Sequence, residues 1–300
     1  MKNSKAIVTL VIGKKYVDNW NKLCRDNWQK YADKYGYDII YIDRPLDSTA
    51  RAQQRSPAWQ KCLILSQEFS QKYQRIVWID SDILINSSIA PCIVKDVPID
   101  KIGAVDECLS PTSDLYFQTL ERKYDYCKYS NITVVINHTA KHYYSNYGLP
   151  PKFNSIVQTG VLVLSPNHHR KILEKVYLEY EDKGSSEWNY EMRPLSWELI
   201  NGDYIHWIDH RFNVIWFDYL CLHYPFLLEK AGSPLIKKIK RKIQNILSII
   251  GIYPHPRLKS TCVTTAFTNS FFLHFAGCAS DMVFVDTKST SWRNLIARCV

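Results

Sequence analysis

The chain lacks the cysteine spacing of metal and thiol redox sites. Its nine cysteines include no C-x-x-C pair, and their number is odd. Structural zinc sites and redox centres use that close pair, and small secreted domains pair an even number of cysteines. The pattern therefore argues against a zinc site and against a disulfide-stapled secreted domain. We expect a reducing compartment, the cytoplasm.

Long hydrophobic runs and low-complexity linkers are also missing. A membrane-spanning helix needs about 18 consecutive apolar residues, and no stretch reaches that length. The apolar run near the N-terminus is short and has no convincing signal-cleavage site. No segment rich in Pro, Gly and Ser separates two halves, so we expect a single domain over residues 1–300.

Positive charge is in excess, with 38 Lys and Arg against 29 Asp and Glu and a net charge of +9. This favours an anionic partner, but no nucleic-acid-binding motif is present, and we expect no nucleic acid partner. Residues 235–252, within an insertion at about 233–257, form a predicted basic amphipathic helix. It would make a peripheral contact with the inner face of a membrane. The alternative is a helix packed on the domain with its charged face in water.

The remaining sequence alternates strand and helix patterns. Residues 6–12 are a β-branched run, typical of a strand buried on both faces. Apolar residues at helical spacing over 16–35 follow, and Gly36 ends that helix before a strand at 37–42. This order predicts an α/β fold with a parallel sheet. Further predicted elements are helices over 57–72, 166–182 and 194–201, and strands over 75–79, 102–105, 156–164, 204–208 and 271–275.

Two carboxylates directly follow the predicted strand at 75–79. Asp80 and Asp82 are two residues apart, with apolar sequence on both sides. Ligands of open α/β sheets collect at the carboxyl ends of strands, and two acids there repel each other unless a cation neutralises them. Mn²⁺ or Mg²⁺ would do so and would leave positions open for substrate phosphates. The alternative is a polar turn in which an aspartate caps the next element.

Residues 76–85, IVWIDSDILI, resemble the D-x-D element of the GT-A glycosyltransferases. The wider pattern resembles the galactosyl/mannosyl/xylosyltransferase family 34, and more loosely the glycogenin-like family 8. The supporting segments are AIVTLVIG at 6–13, RSPAWQK at 55–61, QTGVLVLS at 158–165, WIDHRFN at 207–213 and FLHFAGC at 272–278. The resemblance implies a Rossmann-like GT-A domain whose mixed, mostly parallel central sheet is flanked by helices. It also implies hexose transfer with retention of anomeric configuration.

The same resemblance implies a set of metal and donor ligands. His274, in the C-terminal H-F-x-G-C pattern, would join Asp80 and Asp82 around Mn²⁺ or Mg²⁺; alternatively it is a core histidine. Basic residues would bind the diphosphate, although a solvated helix face also explains them. A glycine amide can approach a diphosphate closely. The implied donor-binding residues besides the two aspartates are Thr9, Arg55, Lys61, Ser81, Gly160 and Gly277.

The sugar end of the site matches the family less closely. Gln158 stands where the family often has Asn, which leaves its contact with the sugar open. Relatives carry an acidic D/E-Q pair near the reacting carbon, and this chain has none. Glu198 is the best match and Glu191 the second, and either would otherwise be a surface acid or a helix cap. Glu198, Glu191 and Gln158 are the predicted catalytic residues.

Other polar residues carry weaker expectations. Asp106 and Glu107 follow a predicted strand end and would touch donor or acceptor, although a solvated loop explains them more simply. Arg211 and Asn213 would mainly tie down a loop.

We therefore expect a metal-dependent glycosyltransferase that uses a UDP- or GDP-hexose donor and a glycan or lipid-linked acceptor. Two alternatives remain open. The missing D/E-Q pair favours a catalytically impaired nucleotide-sugar or glycan-binding protein of the same fold. A metal-dependent phosphatase or nucleotidyltransferase also uses close carboxylates. The haloacid-dehalogenase type is disfavoured because it needs D-x-D-x-T/S near the N-terminus.

Overall fold

The structure, a computed structural model, describes residues 3–130, 132, 137–183, 190–228 and 255–289. The predicted basic helix over 235–252 lies outside these residues, as does nearly all of the insertion at about 233–257. None of the helices that are described has the length and apolar character needed to cross a membrane. The eight cysteines in these ranges are free thiols.

Six strands form the central sheet, in the order β2-β1-β3-β6-β5-β7. Strand β1 is parallel to β2 and β3, and β5 is parallel to β7, whereas β6 runs antiparallel to both of its neighbours. The prediction of a mixed, mostly parallel sheet is confirmed. The strands are β1 (Lys5–Leu10), β2 (Asp38–Ile42), β3 (Arg75–Ile79), β4 (Ile83–Ile85), β5 (Ile102–Asp106), β6 (Val157–Leu164), β7 (Ile205–Trp207), β8 (Val214–Ile215) and β9 (Phe272–His274).

Helices flank the sheet, and two of the predicted ones are divided. The pattern at 16–35 forms two helices that meet at Cys24, and the stretch at 57–72 forms two 3-10 helices, Pro57–Ser66 and Glu68–Lys72, separated by Gln67 in extended conformation. The α-helices are α1 (Lys14–Leu23), α2 (Arg25–Tyr35), α3 (Ala50–Gln53), α4 (Ser113–Tyr129), α5 (Ala140–Ser145), α6 (Pro166–Glu179), α7 (Met192–Asn201), α8 (Trp216–His223) and α9 (His255–Thr268).

Both faces of the sheet are covered, which explains the continuous apolar runs of its strands. Successive side chains of a strand point to opposite faces. In β3, Val77 and Ile79 accordingly join a core with α1, α2 and α9, whereas Ile76 and Trp78 join a second core with α6, α7 and the 3-10 helix Pro57–Ser66.

A small second sheet, in the order β4-β9-β8, extends the fold just beyond the end of β3. Strand β4 pairs antiparallel with β9, with Ile83 opposite His274. Strand β8 pairs parallel with β9 on its other side, with Ile215 opposite His274. This pairing brings a segment from the C-terminal part of the chain next to Asp80 and Asp82.

Side chains of α2 hold the outer edge of β4. The indole nitrogen of Trp28 donates to the carbonyl of Ile83 at 2.8 Å. Asn27 makes two bonds with Ile85: its Nδ2 donates to the carbonyl at 2.9 Å, and its Oδ1 accepts from the amide at 2.7 Å. These bonds satisfy buried backbone groups that would otherwise have no ladder partner, so the segment after Asp82 is fixed in place.

The two bonds from Asn27 predict a large stability effect. Asn27→Ala leaves the amide and the carbonyl of Ile85 buried without partners, so we expect the free energy of unfolding to fall by about 2–4 kcal/mol. Urea denaturation followed by circular dichroism measures this. Asn19→Ala, at an exposed position of α1, is the matched control and should change stability by less than about 0.5 kcal/mol. Equal losses in the two variants would contradict this role of Asn27.

Candidate functional site

The two aspartates stand in the short turn between β3 and β4. The amide of Asp80 donates to the carbonyl of Gly160 in β6 at 2.9 Å, and the carbonyl of Asp82 accepts from the amide of Phe275 at 2.9 Å. Each aspartate side chain is 28% exposed. The main chain is therefore tied to β6 and to the residue after β9, while the carboxylates remain open to a ligand.

His274 lies between the two carboxylates and a buried amide. Its Nε2 is 3.2 Å from Asp82 Oδ1 and 3.8 Å from Asp80 Oδ2. Its Nδ1 is 2.9 Å from Oδ1 of Asn213, which accepts the Nδ1–H bond. Asn213 therefore orients the imidazole with Nε2 toward the acids, as an outer partner does for a histidine metal ligand.

The donor set fits a divalent cation. With Nδ1 protonated, a neutral His274 turns a lone pair toward Asp82 Oδ1, and two acceptors at 3.2 Å repel each other. A second proton on the ring or a metal ion must compensate. Carboxylate oxygens with one imidazole suit Mn²⁺, and the open side leaves positions for phosphate oxygens.

The three side chains do not form a finished metal cage. Within the described ranges, no group of three or more His, Cys, Asp or Glu residues has metal-binding spacing. In the arrangement seen here the imidazole contacts Asp82 directly. Mg²⁺ in proteins is commonly bound by only one or two carboxylates, together with substrate phosphates and water.

Gly160 makes room for the histidine. A Cβ at this position would lie 2.6 Å from Cε1 and 2.8 Å from Nδ1 of His274, and 3.2 Å from Nδ2 of Asn213. The imidazole of His274 therefore occupies the space that a side chain at position 160 would fill. The donor-binding role of Gly160 stays a prediction.

A buried lysine and a buried glutamate lie behind Asp80. Nζ of Lys61 is 2.7 Å from Oε1 of Glu191 and 3.4 Å from Oδ1 of Asp80. It also donates to the carbonyl of Thr159, whose hydroxyl donates to Glu191 at 3.0 Å. The other carboxylate oxygen of Glu191 is buried without a hydrogen-bond partner among the described residues. The structure thus brings Lys61 and Glu191 to the aspartates.

Burial and mutual attraction set the protonation of this cluster in opposite directions. Burial raises the pKa of Asp80 above its ordinary value, although Lys61 and His274 lower it. The pKa of Asp82 is lowered in spite of burial, because His274 is beside it. Burial by itself lowers the pKa of Lys61. The negative charges of Asp80 and Glu191 raise it by more, so the pKa of Lys61 lies above its ordinary value.

Arg55 is occupied elsewhere, contrary to its predicted phosphate contact. Its guanidinium donates to the carbonyls of Tyr177 and Tyr180 at the end of α6 and to Glu181 at 2.9 Å. It also stacks over the rings of Trp59 and Tyr177. A buried guanidinium needs this many acceptors, so Arg55 ties the 3-10 helix Pro57–Ser66 to α6.

Glu198 is likewise part of a helix interface and not of the acidic cluster. Both of its carboxylate oxygens accept from Nζ of Lys175, at 2.8 and 2.9 Å, and Tyr180 donates its hydroxyl at 2.6 Å. These bonds join α7 to α6. Of the two predicted acids, the second choice, Glu191, lies beside Asp80.

Three further residues were predicted to contact the donor: Thr9, Ser81 and Gly277. Thr9 is fully buried in β1, where a ligand does not reach its side chain. Ser81 stands between the aspartates, and its carbonyl accepts from Sγ of Cys24 at 3.4 Å. Gly277 adopts φ +70°, and a Cβ there would meet nothing within 4 Å, so its backbone borders open space. Only Ser81 and Gly277 border space that a donor could enter.

Gln158 and Asn213 extend the site into a pocket. The amide groups of these two side chains face each other at 3.5 Å, and both line an open pocket. Glu107 and Asp218 line the same pocket. From the sequence, Asn213 and Glu107 carried only weak expectations, and Asp218 carried none. The WIDHRFN segment was the available signal for Asn213.

The chain resembles known proteins in its three-dimensional structure, but no family model and no curated protein sequence matches it. Among solved structures, it is similar to the bifunctional glycosyltransferase WbbM in its apo form, at 12% identity and a TM-score of 0.51, covering 99% of this chain and 52% of that one. The chain therefore spans about half the length of WbbM.

Two further similar structures are also glycosyltransferases. One is involved in the glycosylation of the major capsid of PBCV-1, with 14% identity, 93% of this chain and 100% of that one covered, and a TM-score of 0.46. The other is the galactosyltransferase LgtC in complex with donor and acceptor sugar analogs. The identity is 13% and the TM-score 0.45, and the match covers 98% of this chain and 95% of that one. The topology and the likeness to WbbM show the α/β fold of GT-A glycosyltransferases, as predicted.

Crowding at Gly160 predicts a metal-binding defect. A methyl group there pushes the imidazole of His274 away from Asp82, so Gly160→Ala should weaken Mn²⁺ binding at least about tenfold by titration calorimetry. Gly103→Ala is the matched control, because its methyl group would crowd Val97 at 2.8 Å and not His274. The control should lose stability and keep its Mn²⁺ affinity. Unchanged affinity in the Gly160 variant would show that the imidazole is not a ligand.

Proposed function

We propose that this protein is a metal-dependent glycosyltransferase that moves a hexose from a UDP- or GDP-linked donor to a glycan or lipid-linked acceptor. One observation carries the proposal: Asp80, Asp82 and His274 meet at the carboxyl end of β3, with Lys61 and Glu191 directly behind. Ligands of open α/β sheets bind at this edge. The GT-A fold supports the same conclusion.

Asp80, Asp82 and His274 would hold Mn²⁺ or Mg²⁺, which offsets the charge that develops on the departing diphosphate. Asn213 fixes the direction of the imidazole through its 2.9 Å contact with Nδ1. Lys61 contacts Asp80 and balances part of its charge in a buried position. The backbone of Gly277, which borders open space, supplies an amide that a diphosphate oxygen approaches closely.

Glu191 is the acid that we assign to the sugar end of the reaction, in place of Glu198. Its Oε1 is fixed by Lys61 and Thr159, and its Oε2 has no hydrogen-bond partner among the described residues. A carboxylate fixed in this way behind Asp80 can stabilise positive charge that develops on the sugar ring.

The reaction that we propose retains the anomeric configuration, as in families 34 and 8, which this chain resembles. The acceptor hydroxyl attacks from the face that the diphosphate leaves, and its proton passes to the departing phosphate oxygen. This route needs no protein base beside the acceptor. We further propose a single catalytic domain in the cytoplasm, with residues 235–252 in peripheral contact with the membrane.

Donor turnover tests the proposal. Purified protein is incubated with a panel of UDP- and GDP-hexoses and Mn²⁺, and release of the nucleoside diphosphate is measured. We expect turnover that stops with chelator, and a loss of at least about 100-fold in Asp82→Ala, because one of the carboxylates is gone. Asp203→Asn, in an exposed ion pair with Lys101, is the control and should keep full activity.

Other outcomes of that panel point to the alternatives. Donor binding without turnover in the wild-type protein would indicate a nucleotide-sugar-binding protein of the same fold. Phosphate release from simple esters would indicate a phosphatase. Near-normal turnover in Asp82→Ala would overturn the metal role.

The two glutamates should behave differently. Glu191→Gln keeps the size of the side chain but removes the charge that pairs with Lys61 behind Asp80, so we expect kcat to fall at least about 100-fold. Glu198→Gln weakens the contact between α6 and α7 and should lower stability by about 1 kcal/mol while kcat stays within about threefold. Activity assays and thermal unfolding of both variants measure this. The reverse order of kcat values would restore Glu198 as the catalytic acid.

A further inference from the structure

A second pocket lies at the end of β4 that points away from the two aspartates. Its volume is about 310 Å³, which is within the range that small ligands occupy. It shares no residue with the cluster around Asp80, Asp82 and His274. The residues that line it are Asn27 and Lys30 of α2, Ile85 of β4, Asn86, Ser87 and Ser88 after that strand, Phe267 of α9, and Thr287 and Lys288.

Buried hydrogen bonds hold the base of this pocket in shape. The side chain of Asn27 bonds to both backbone groups of Ile85. The backbone amide of Asn86 donates to the carbonyl of Phe271 at 2.8 Å, and its Nδ2 donates to the carbonyl of Phe267 at 3.2 Å. These bonds tie α2 and α9 to the end of β4, so the pocket is already formed before a ligand binds.

The polar side chains that remain for a ligand can all donate hydrogen bonds. Lys30 and Lys288 contribute ammonium groups, and Ser87, Ser88 and Thr287 contribute hydroxyl groups. None of these five side chains has a hydrogen bond or an ion pair to another described residue. An ammonium group only donates, and a hydroxyl donates or accepts. A ligand with several acceptor oxygens therefore matches this lining.

The charge around the pocket favours an anion. Lys34, one turn further along α2, donates to the carbonyl of Ser87 at 2.7 Å and adds another positive charge beside the pocket. Acids stand on the same segments, namely Asp26 and Asp33 of α2 and Asp286, but none of them lines the pocket. A concave surface with charges of one sign attracts ligands of the opposite sign.

The size and the chemistry of the lining together indicate the class of ligand. A phosphate monoester offers three acceptor oxygens and a charge of about −1.5 to −2 at neutral pH, and lysine binds phosphate as a point charge. Inorganic phosphate alone would fill only part of the pocket. Ile85 and Phe267 line it as well, and they offer apolar surface to the organic group of an ester. An uncharged ligand would leave both ammonium groups without a counter-charge.

We propose that this pocket binds the phosphate group of a phosphate monoester, with Lys30 and Lys288 as its cationic partners and nearby hydroxyl groups as further donors. The site is separate from the metal site, because extended chain of about 13 Å leads from Asp82 to Asn86. The inference goes beyond the proposed function and holds whether or not the protein transfers sugars. The ester is either a small soluble molecule or the head group of an acidic lipid, since both present the same phosphate.

Titration calorimetry with soluble esters tests the proposal. The probes are glycerol 3-phosphate and glucose 6-phosphate, and glycerol and glucose are their uncharged counterparts. Chelator in the buffer removes divalent metal ions, so that phosphate binding through the metal site is suppressed. The variants are Lys30→Gln and Lys288→Gln. Lys171→Gln, at an exposed position of α6, is the matched control, because α6 packs on the opposite face of the central sheet from α2.

We expect the esters to bind and the uncharged counterparts not to bind. Each pocket variant should lose about tenfold in affinity, because one charge-assisted hydrogen bond is removed, and Lys171→Gln should bind like the wild-type protein. Added NaCl should weaken binding, since salt screens the attraction. Excess UDP with Mn²⁺ should not displace the ester. Thermal unfolding of each variant shows that it is folded.

Vesicles separate the two sources of the phosphate. Phosphatidic acid has a monoester head group, and its vesicles with phosphatidylcholine are compared with vesicles of phosphatidylcholine alone by co-sedimentation. Binding of soluble esters without vesicle binding assigns the pocket to a small molecule. Binding to phosphatidic acid vesicles that falls in Lys30→Gln and Lys288→Gln, and not in Lys171→Gln, assigns it to the lipid head group.

Three results would overturn the inference. The first is no binding of either ester and no binding to phosphatidic acid vesicles. The second is an equal loss in Lys171→Gln, which would show that only the net positive charge of the protein is responsible. The third is displacement of the ester by UDP with Mn²⁺, which would place it in the metal site. Donor turnover is not involved in any of these results, so the transferase proposal stands or fails separately.

Discussion

The arrangement of the site depends on the need to balance the charge of two carboxylates at the end of a buried strand. Asp80 and Asp82 would repel each other and lose hydration if nothing balanced them. His274 reaches both from β9, and Lys61 reaches Asp80 from behind. Strand β9 can supply His274 only because it pairs with β4. The small sheet and its anchoring by α2 therefore fix the position of the imidazole relative to the two acids.

Charged residues outside this cluster are used to join helices. Arg55 and Glu198 have the chemistry of a phosphate contact and a catalytic acid, yet they bond to α6 and to its last turn. A buried charge must be paired, and an interface between two helices meets that need as well as a ligand does. Residue type alone therefore did not separate Glu198 from Glu191, because only the position of each on its element decides which partner it meets.

Strand β6 connects the metal site to the neighbouring pocket. Because it runs antiparallel between β3 and β5, its residue Gly160 lies beside Asp80 and clears space for His274, while Gln158 faces Asn213. One strand therefore shapes the space of the imidazole and, two residues earlier, the wall of the pocket.

The sequence alone determined the α/β class and the strand that ends at Asp80, because apolar periodicity is a local property. The resemblance to GT-A glycosyltransferases, and no local pattern, suggested His274 as a partner of the two aspartates. The sequence did not determine which charged side chains face the site, the antiparallel direction of β6, the 3-10 form of 57–72, or the role of Asn213. These depend on contacts between segments far apart in the chain. Whether a charged side chain faces a ligand or pairs with another helix depends on where it is buried in the folded chain, and a local sequence pattern does not contain that information.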